Sequence, residues 1–151
     1  MNKVKALLLA AGLGTRLSPL TDNWPKCLMP IGNRPLLEYW LETLYSTNVS
    51  EVLVNLHHHS EKVQEFLNRP RFHKWVSSVY EETLLGTAGT LKANREYFQD
   101  CTTLLVHADN WCQCDFTNFL NYHRKHRPKH CSITMMTFES LTPETCGIVE
   151  I

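Results

Sequence analysis

The sequence predicts an α/β fold: a Rossmann-like, doubly wound and mostly parallel sheet, incomplete at its C-terminal end. Three observations predict it. Short apolar runs alternate with amphipathic stretches along the chain, the order that βαβ units produce. The first apolar run breaks into a glycine turn, Gly12-Leu13-Gly14, before the next element begins. A later apolar run is followed at once by Ala108-Asp109-Asn110. An Asp just past a buried strand stands where open α/β sheets bind ligands.

The elements follow in order. Val4–Ala10 reads as a buried first strand. The basic start ahead of it imitates a signal peptide, but the apolar run is short and ends in the glycines. Pro35–Thr47 carries Leu36, Leu37, Tyr39, Trp40, Leu41 and Leu44 close to helical spacing, which predicts a helix. Glu51–Leu56 is strand-like. Ser60–Leu67 reads as a helix capped by Ser60, with Val63, Phe66 and Leu67 on one face. Trp75–Tyr80 predicts a strand, Thr87–Phe98 a helix capped by Thr87, Thr102–His107 a strand and Asp115–His126 a helix. Ser132–Phe138 and Gly147–Ile151 are expected to be the last strands. With no repeat, linker or low-complexity tract, residues 1–151 read as one nucleotide-binding domain that stops before its sheet is finished.

Composition narrows the class. The chain has 151 residues, 43% of them hydrophobic and 20% charged, which suits one globular core. Lys plus Arg and Asp plus Glu number 15 each. A balanced charge gives no electrostatic case for nucleic acid or an anionic membrane as partner. No apolar run is long enough to span a bilayer. The six cysteines do not sit in a short, loop-rich secreted chain, so free thiols and a cytoplasmic location are expected.

The strongest local signal is Ala11-Gly12-Leu13-Gly14-Thr15-Arg16 after the first strand. Glycines let a backbone turn tightly and approach an anion, and exposed N–H groups in such a turn form an anion-binding concavity. Arg16 adds a fork of donors suited to phosphate oxygens. The turn is no P-loop, because no Gly-Lys-Ser/Thr follows. Nor is it a dinucleotide fingerprint, because Leu17 fills the third glycine position, which disfavours hydride-transfer enzymes. Ten residues on, Pro25 and Pro30 are expected to hold Trp24 to Ile31 extended and restrict where Lys26 points. A lysine held there offers a compact charge for a second phosphate. Gly86, before a helix start in Glu81-Glu82-Thr83-Leu84-Leu85-Gly86-Thr87, suits close backbone approach to a ligand.

Leu8-Leu9-Ala10-Ala11-Gly12-Leu13-Gly14-Thr15-Arg16-Leu17-Ser18-Pro19-Leu20-Thr21, with Pro25-Lys26-Cys27-Leu28-Met29-Pro30-Ile31 and Asn33 to Tyr39, resembles the signature of the sugar nucleotidyltransferases, or nucleoside-diphosphate-sugar pyrophosphorylases. The likeness covers most of the chain and is thinnest between 57 and 78. It implies that Leu9, Ala10, Ala11 and Gly12 lie near the nucleoside. It places Gly14, Thr15 and Arg16 near the phosphates, and Lys26 at the α-phosphate. Glu81 then stands where the family has a base-reading side chain, and the Gly86 segment contacts base and ribose. A carboxylate could accept two hydrogen bonds from guanine or one from uracil or thymine, so Glu81 leans towards guanine and leaves the base open. Asp109 matches a metal-binding Asp, with Ala108 where the family has Gly. Mg2+ takes one or two carboxylates plus phosphate oxygens and water.

The reaction so implied joins a nucleoside triphosphate and a sugar 1-phosphate, releasing pyrophosphate, with Arg16 and Lys26 as the catalytic side chains and Mg2+ at Asp109. Mannose-1-phosphate guanylyl transfer is the leading form, with UTP- or dTTP-dependent transfer behind it. A non-catalytic nucleotide-binding or regulatory module is the alternative. Family members continue past the point where this sequence stops, supplying a second metal-binding Asp and a Glu-Lys-Pro lysine. Here the carboxylates beyond Asp109 are Asp115, Glu139, Glu144 and Glu150, none in that context. An N-terminal portion that binds nucleotide and turns over poorly is therefore expected; a homo-oligomer is compatible with the sequence. His57-His58-His59 reads as a solvated loop end. Cys112 and Cys114 lack zinc-ligand spacing. The basic run Arg124, Lys125, Arg127, Lys129 and His130 reads as a solvated helix end.

Overall fold

The computed structural model describes residues 3–149. The chain divides into two compact units, Met1–Gln113 and Cys114–Ile151.

The first unit holds the sheet. Strand β1 is Val4–Leu9, ending one residue before the expected limit. Two 3-10 turns follow, Thr15–Leu17 and Lys26–Leu28. A two-residue hairpin comes next, β2 (Pro30–Ile31) against β3 (Arg34–Pro35), turning at Gly32 with φ of 63°. Then come α1 (Leu36–Ser46), β4 (Glu51–Leu56), α2 (Ser60–Leu67), β5 (Val76–Tyr80), α3 (Gly86–Ala93) and β6 (Thr102–His107). The main sheet is parallel throughout, in the order β5-β4-β1-β6. From β1 the chain steps outward through β4 to β5, then returns to the other side of β1 as β6. The winding reverses between β1 and β6, and a crevice opens at the carboxyl ends of strands at such a reversal.

Burial explains why β1 is central. Ala6, Leu7 and Leu8 are each fully buried, and successive side chains on a strand face opposite sides. Both faces of the sheet are therefore covered, as parallel sheets require. Leu7 and Leu53 pack with Phe98 on one face, joined by Leu91 of α3 and by Tyr97. Helix α1 buries Leu37, Leu41 and Leu44 along one stripe. Its Glu38 is buried too and is paired with Arg71 at 2.6 Å.

Several boundaries differ from the sequence expectation. Ser60 does not cap α2; His59 does, in the left-handed conformation with φ of 50°, and Ser60 is the first helical residue. Thr87 does not cap α3; the helix starts at Gly86 after Leu85, without a side-chain cap. It ends at Ala93, because the next turns close through bonds such as Tyr97 N–H to Asn94 O at 3.0 Å. Lys26–Leu28 is not extended. Leu28 N–H donates to Pro25 O and Met29 N–H to Lys26 O, closing a turn that buries Cys27 and Leu28.

The second unit contains α4 (Phe116–Lys125), capped by Asp115, whose carboxylate accepts from Asn118 N–H at 2.9 Å. Asp115→Ala should destabilise this helix by about 1 kcal/mol, read as lost helical signal in a thermal melt. The expected strand over 132–138 does not form, and 147–149 join no ladder; Glu150 and Ile151 lie outside the described residues. Ile133, Met135 and Phe138 are exposed. A strand needs a neighbour to satisfy its backbone groups, and among the described residues none pairs with this stretch. Among the described residues no helix is long and apolar enough to cross a membrane.

Candidate functional site

A cavity of about 200 Å³ opens where the winding reverses. Its walls come from the ends of β1, β4, β5 and β6, the start of α3 and the Lys26 turn. Eight residues singled out in the sequence line it: Leu9, Ala10, Ala11, Gly12, Lys26, Glu81, Gly86 and Asp109. Gly14, Thr15 and Arg16 do not. They form the next turn, where Arg16 is exposed on the 3-10 segment Thr15–Leu17 that follows Gly14.

The two glycines of the turn do different work. Gly12 has open space where a side chain would sit, so its bare backbone borders the cavity. Gly14 has φ of 69°, and a Cβ there would meet Thr21 Cγ2 at 2.9 Å and Lys26 Cβ at 3.2 Å. Buried Thr21 donates its hydroxyl to Gly14 O at 2.8 Å. Gly14 thus lets the lysine turn close against the glycine turn.

Lys26 Nζ and Asp109 Oδ2 lie 2.6 Å apart, both partly exposed at the cavity wall. Backbone and aromatic contacts fix the two ends of this pair. Leu36 N–H donates to Met29 O, tying the lysine turn to α1. Trp40 of α1 donates its indole N–H to Asn110 O at 2.8 Å, holding the residue after Asp109. Ala108 is fully buried, and its N–H donates to Leu9 O, continuing the β1–β6 ladder up to the Asp. Among the described residues no cluster of three or more His, Cys, Asp or Glu is poised for a metal. One carboxylate at a cavity rim fits an Mg2+ ion whose remaining ligands come with phosphate oxygens and water.

Residues to which the sequence assigned no site role complete the walls, including Cys27, Asn55 and His107. Cys27 is buried and its thiol is pushed up to about 12, by desolvation first, with the nearby Asp109 charge adding to it. Asn55 Oδ1 accepts from Ala10 N–H at 2.7 Å, so that N–H is already committed. The polar Asn55 within the apolar run Val52 to Leu56 was the available signal. Glu81 is buried; its Oε1 accepts from Asn55 Nδ2 and Thr90 Oγ1, and its Oε2 from Leu85 N–H. The histidine run is no solvated loop end. His57 Nδ1 bonds Glu81 O, and His59 Nε2 reaches Thr21 O and Asp22 O, because the left-handed turn at His59 brings its ring to the loop after Gly14.

The sequence matches the model of a known protein family. The nucleotidyl transferase model covers residues 5–151. The chain belongs to the nucleotidyl transferase family. A candidate mannose-1-phosphate guanyltransferase of Sulfolobus acidocaldarius is 33% identical over 147 residues, 97% of this chain and 40% of that protein. A UTP–glucose-1-phosphate uridylyltransferase of Synechocystis is 32% identical over 134 residues, 81% of this chain and 34% of that protein. The chain thus spans two fifths or less of the length of these curated relatives. A UDP-glucose pyrophosphorylase solved with UDP-glucose superposes with a TM-score of 0.71 over 83% of this chain and 55% of its own, at 19% identity. That likeness establishes the α/β fold of this nucleotidyl transferase chain.

Proposed function

We propose that this chain carries the nucleotide-binding part of an enzyme that joins a nucleoside triphosphate and a sugar 1-phosphate, releasing pyrophosphate. The observation that carries the reading is the Lys26–Asp109 pair at a cavity bordered by the bare backbone of Gly12. A cation and an anion side by side at a strand-end crevice suit a ligand that brings both phosphate and metal. An oxygen of the sugar phosphate attacks the α-phosphorus in line, and no protein nucleophile is needed. Positioning and charge neutralisation supply the catalysis. Lys26 neutralises charge at the α-phosphate, and Arg16, on the exposed turn beyond the cavity wall, steadies the leaving pyrophosphate. Mg2+ bound at Asp109 would supply further neutralisation of phosphate oxygens.

The relatives' names support two forms, guanylyl transfer to mannose 1-phosphate in the Sulfolobus protein and uridylyl transfer in the Synechocystis protein, and the base is what the test decides. A reducing, cytoplasmic setting is supported by six cysteines spread along a chain that is neither short nor loop-rich. The test is a thermal-shift panel of GTP, UTP, dTTP, CTP and ATP with Mg2+. A ligand that binds only the native state raises the melting temperature, by an amount that grows with concentration. Arg16→Ala should reduce the shift for the preferred nucleotide while leaving the ligand-free melting temperature unchanged, since Arg16 is exposed. No shift with any nucleotide would overturn the reading.

A further inference from the structure

Three buried polar side chains stand in or behind the cavity wall: Asn55, Glu81 and Thr90. They are 4%, 5% and 0% exposed, so their hydrogen bonds are shielded from water. Thr90 lies on α3 and Asn55 near the end of β4. No Lys or Arg pairs with Glu81 among the described residues; a buried carboxylate is held by neutral donors instead. Burial of such a group demands this satisfaction.

The donors fix its orientation. A backbone N–H can only donate, so the side-chain atom of Asn55 facing Ala10 N–H is the oxygen. Its Nδ2 must then point the other way, to Glu81 Oε1 at 3.2 Å. Thr90 Oγ1 donates to the same Oε1 at 2.5 Å. Both acceptor positions of Oε1 are filled. Oε2 accepts from Leu85 N–H at 3.3 Å and keeps one position open.

We propose that Asn55 and Thr90 are positioning residues for base selection: they saturate Glu81 Oε1, so that Glu81 offers the base a single acceptor, Oε2. This rests on the reading that the cavity takes a nucleotide. A single acceptor pairs one N–H of a base edge. It suits a pyrimidine with one ring N–H and denies guanine the second of its two adjacent donors. Asn55 also links the selecting carboxylate to the backbone of the β1 turn through Ala10.

The experiment titrates the chain calorimetrically with GTP, UTP and inorganic pyrophosphate in the presence of Mg2+, for the unaltered chain, Thr90→Val and Thr90→Ser. Valine matches threonine in shape and removes the donor, which frees one acceptor position on Glu81 Oε1 beside the open one on Oε2. The GTP-to-UTP affinity ratio should then rise about tenfold, the worth of one hydrogen bond to a charged group. Pyrophosphate affinity should stay within about twofold, because its contacts lie at the phosphate end. Thr90→Ser keeps the donor and should restore the ratio. A ratio that falls or stays put in Thr90→Val, or an equal change for all three ligands, overturns the proposal. If Thr90→Val fails to fold, Asn55→Ser is titrated instead, with the same rise in ratio expected and the same results overturning it. If the unaltered chain binds pyrophosphate and neither triphosphate, the base-reading role of the cavity falls. If it binds none of the three, the nucleotide reading falls as well.

Discussion

Asp109→Asn should bind a nucleoside triphosphate in EDTA about tenfold more tightly than the unaltered chain, and should gain little when Mg2+ is added. The reason lies in the 2.6 Å pair with Lys26. A bare triphosphate must compete with Asp109 for the ammonium and approach a carboxylate of like charge. A divalent cation on Asp109 removes both obstacles, so cation and nucleotide help each other to bind. Such coupling is reciprocal: whatever the cation does for the nucleotide, the nucleotide does for the cation. Asparagine keeps the shape and removes the charge, so Lys26 becomes available without the cation. The partial exposure of both side chains lets water and salt screen the pair, which keeps the effect near tenfold. Paired calorimetric titrations in EDTA and in Mg2+ read it. Weaker binding of the variant in EDTA would show that Asp109 does not restrain Lys26.

Gly14→Ala should lower stability by about 2–4 kcal/mol. Two costs add. The left-handed backbone at φ of 69° penalises any Cβ, and the new methyl would stand 2.9 Å from Thr21 Cγ2 and 3.2 Å from Lys26 Cβ. Both neighbours are held, Thr21 by burial and its bond to Gly14 O, Lys26 by the closed turn it begins. The drop in melting temperature should be about 5–15 °C for a chain of this size. Gly12→Ala is the control. Nothing lies within 4 Å of its Cβ position, so the fold should hold while the methyl intrudes on the cavity rim. A Gly14→Ala chain that melts with the unaltered one would mean that the turn yields easily and that glycine is not what brings Lys26 in.

The central strands were legible because buried parallel strands are continuous apolar runs; Glu51–Leu56 and Thr102–His107 have the expected limits. Caps were less legible. Ser60 has the chemistry of a cap, yet His59 takes the position, because its ring gains contacts with the loop after Gly14 that no local pattern encodes. The expected strand at 132–138 came from residue types that favour strands, whereas a strand also requires an adjacent backbone. The site divides in the same way. Lys26 and Asp109 could be picked out because charged residues beside prolines or past a strand invite a chemical reading. Their mutual pairing could not, since 83 residues separate them. Asn55 stands out as a polar residue in an apolar run and Thr90 looks like an ordinary helix member, and only the folded chain joins them through Glu81.

Cys27 gives the cavity a property that bears on oxidative stress. Thiolate is the form that oxidants and alkylating reagents attack. With its thiol pushed up to about 12, Cys27 stays protonated at pH 7. Exposed Cys146 lies at the other extreme, its thiol lowered by its hydrogen-bond contacts with Ser140 and Thr145. Peroxide or a maleimide dye would therefore consume Cys146 long before it reached the cavity, and a chain so modified would keep its Lys26 turn chemically intact.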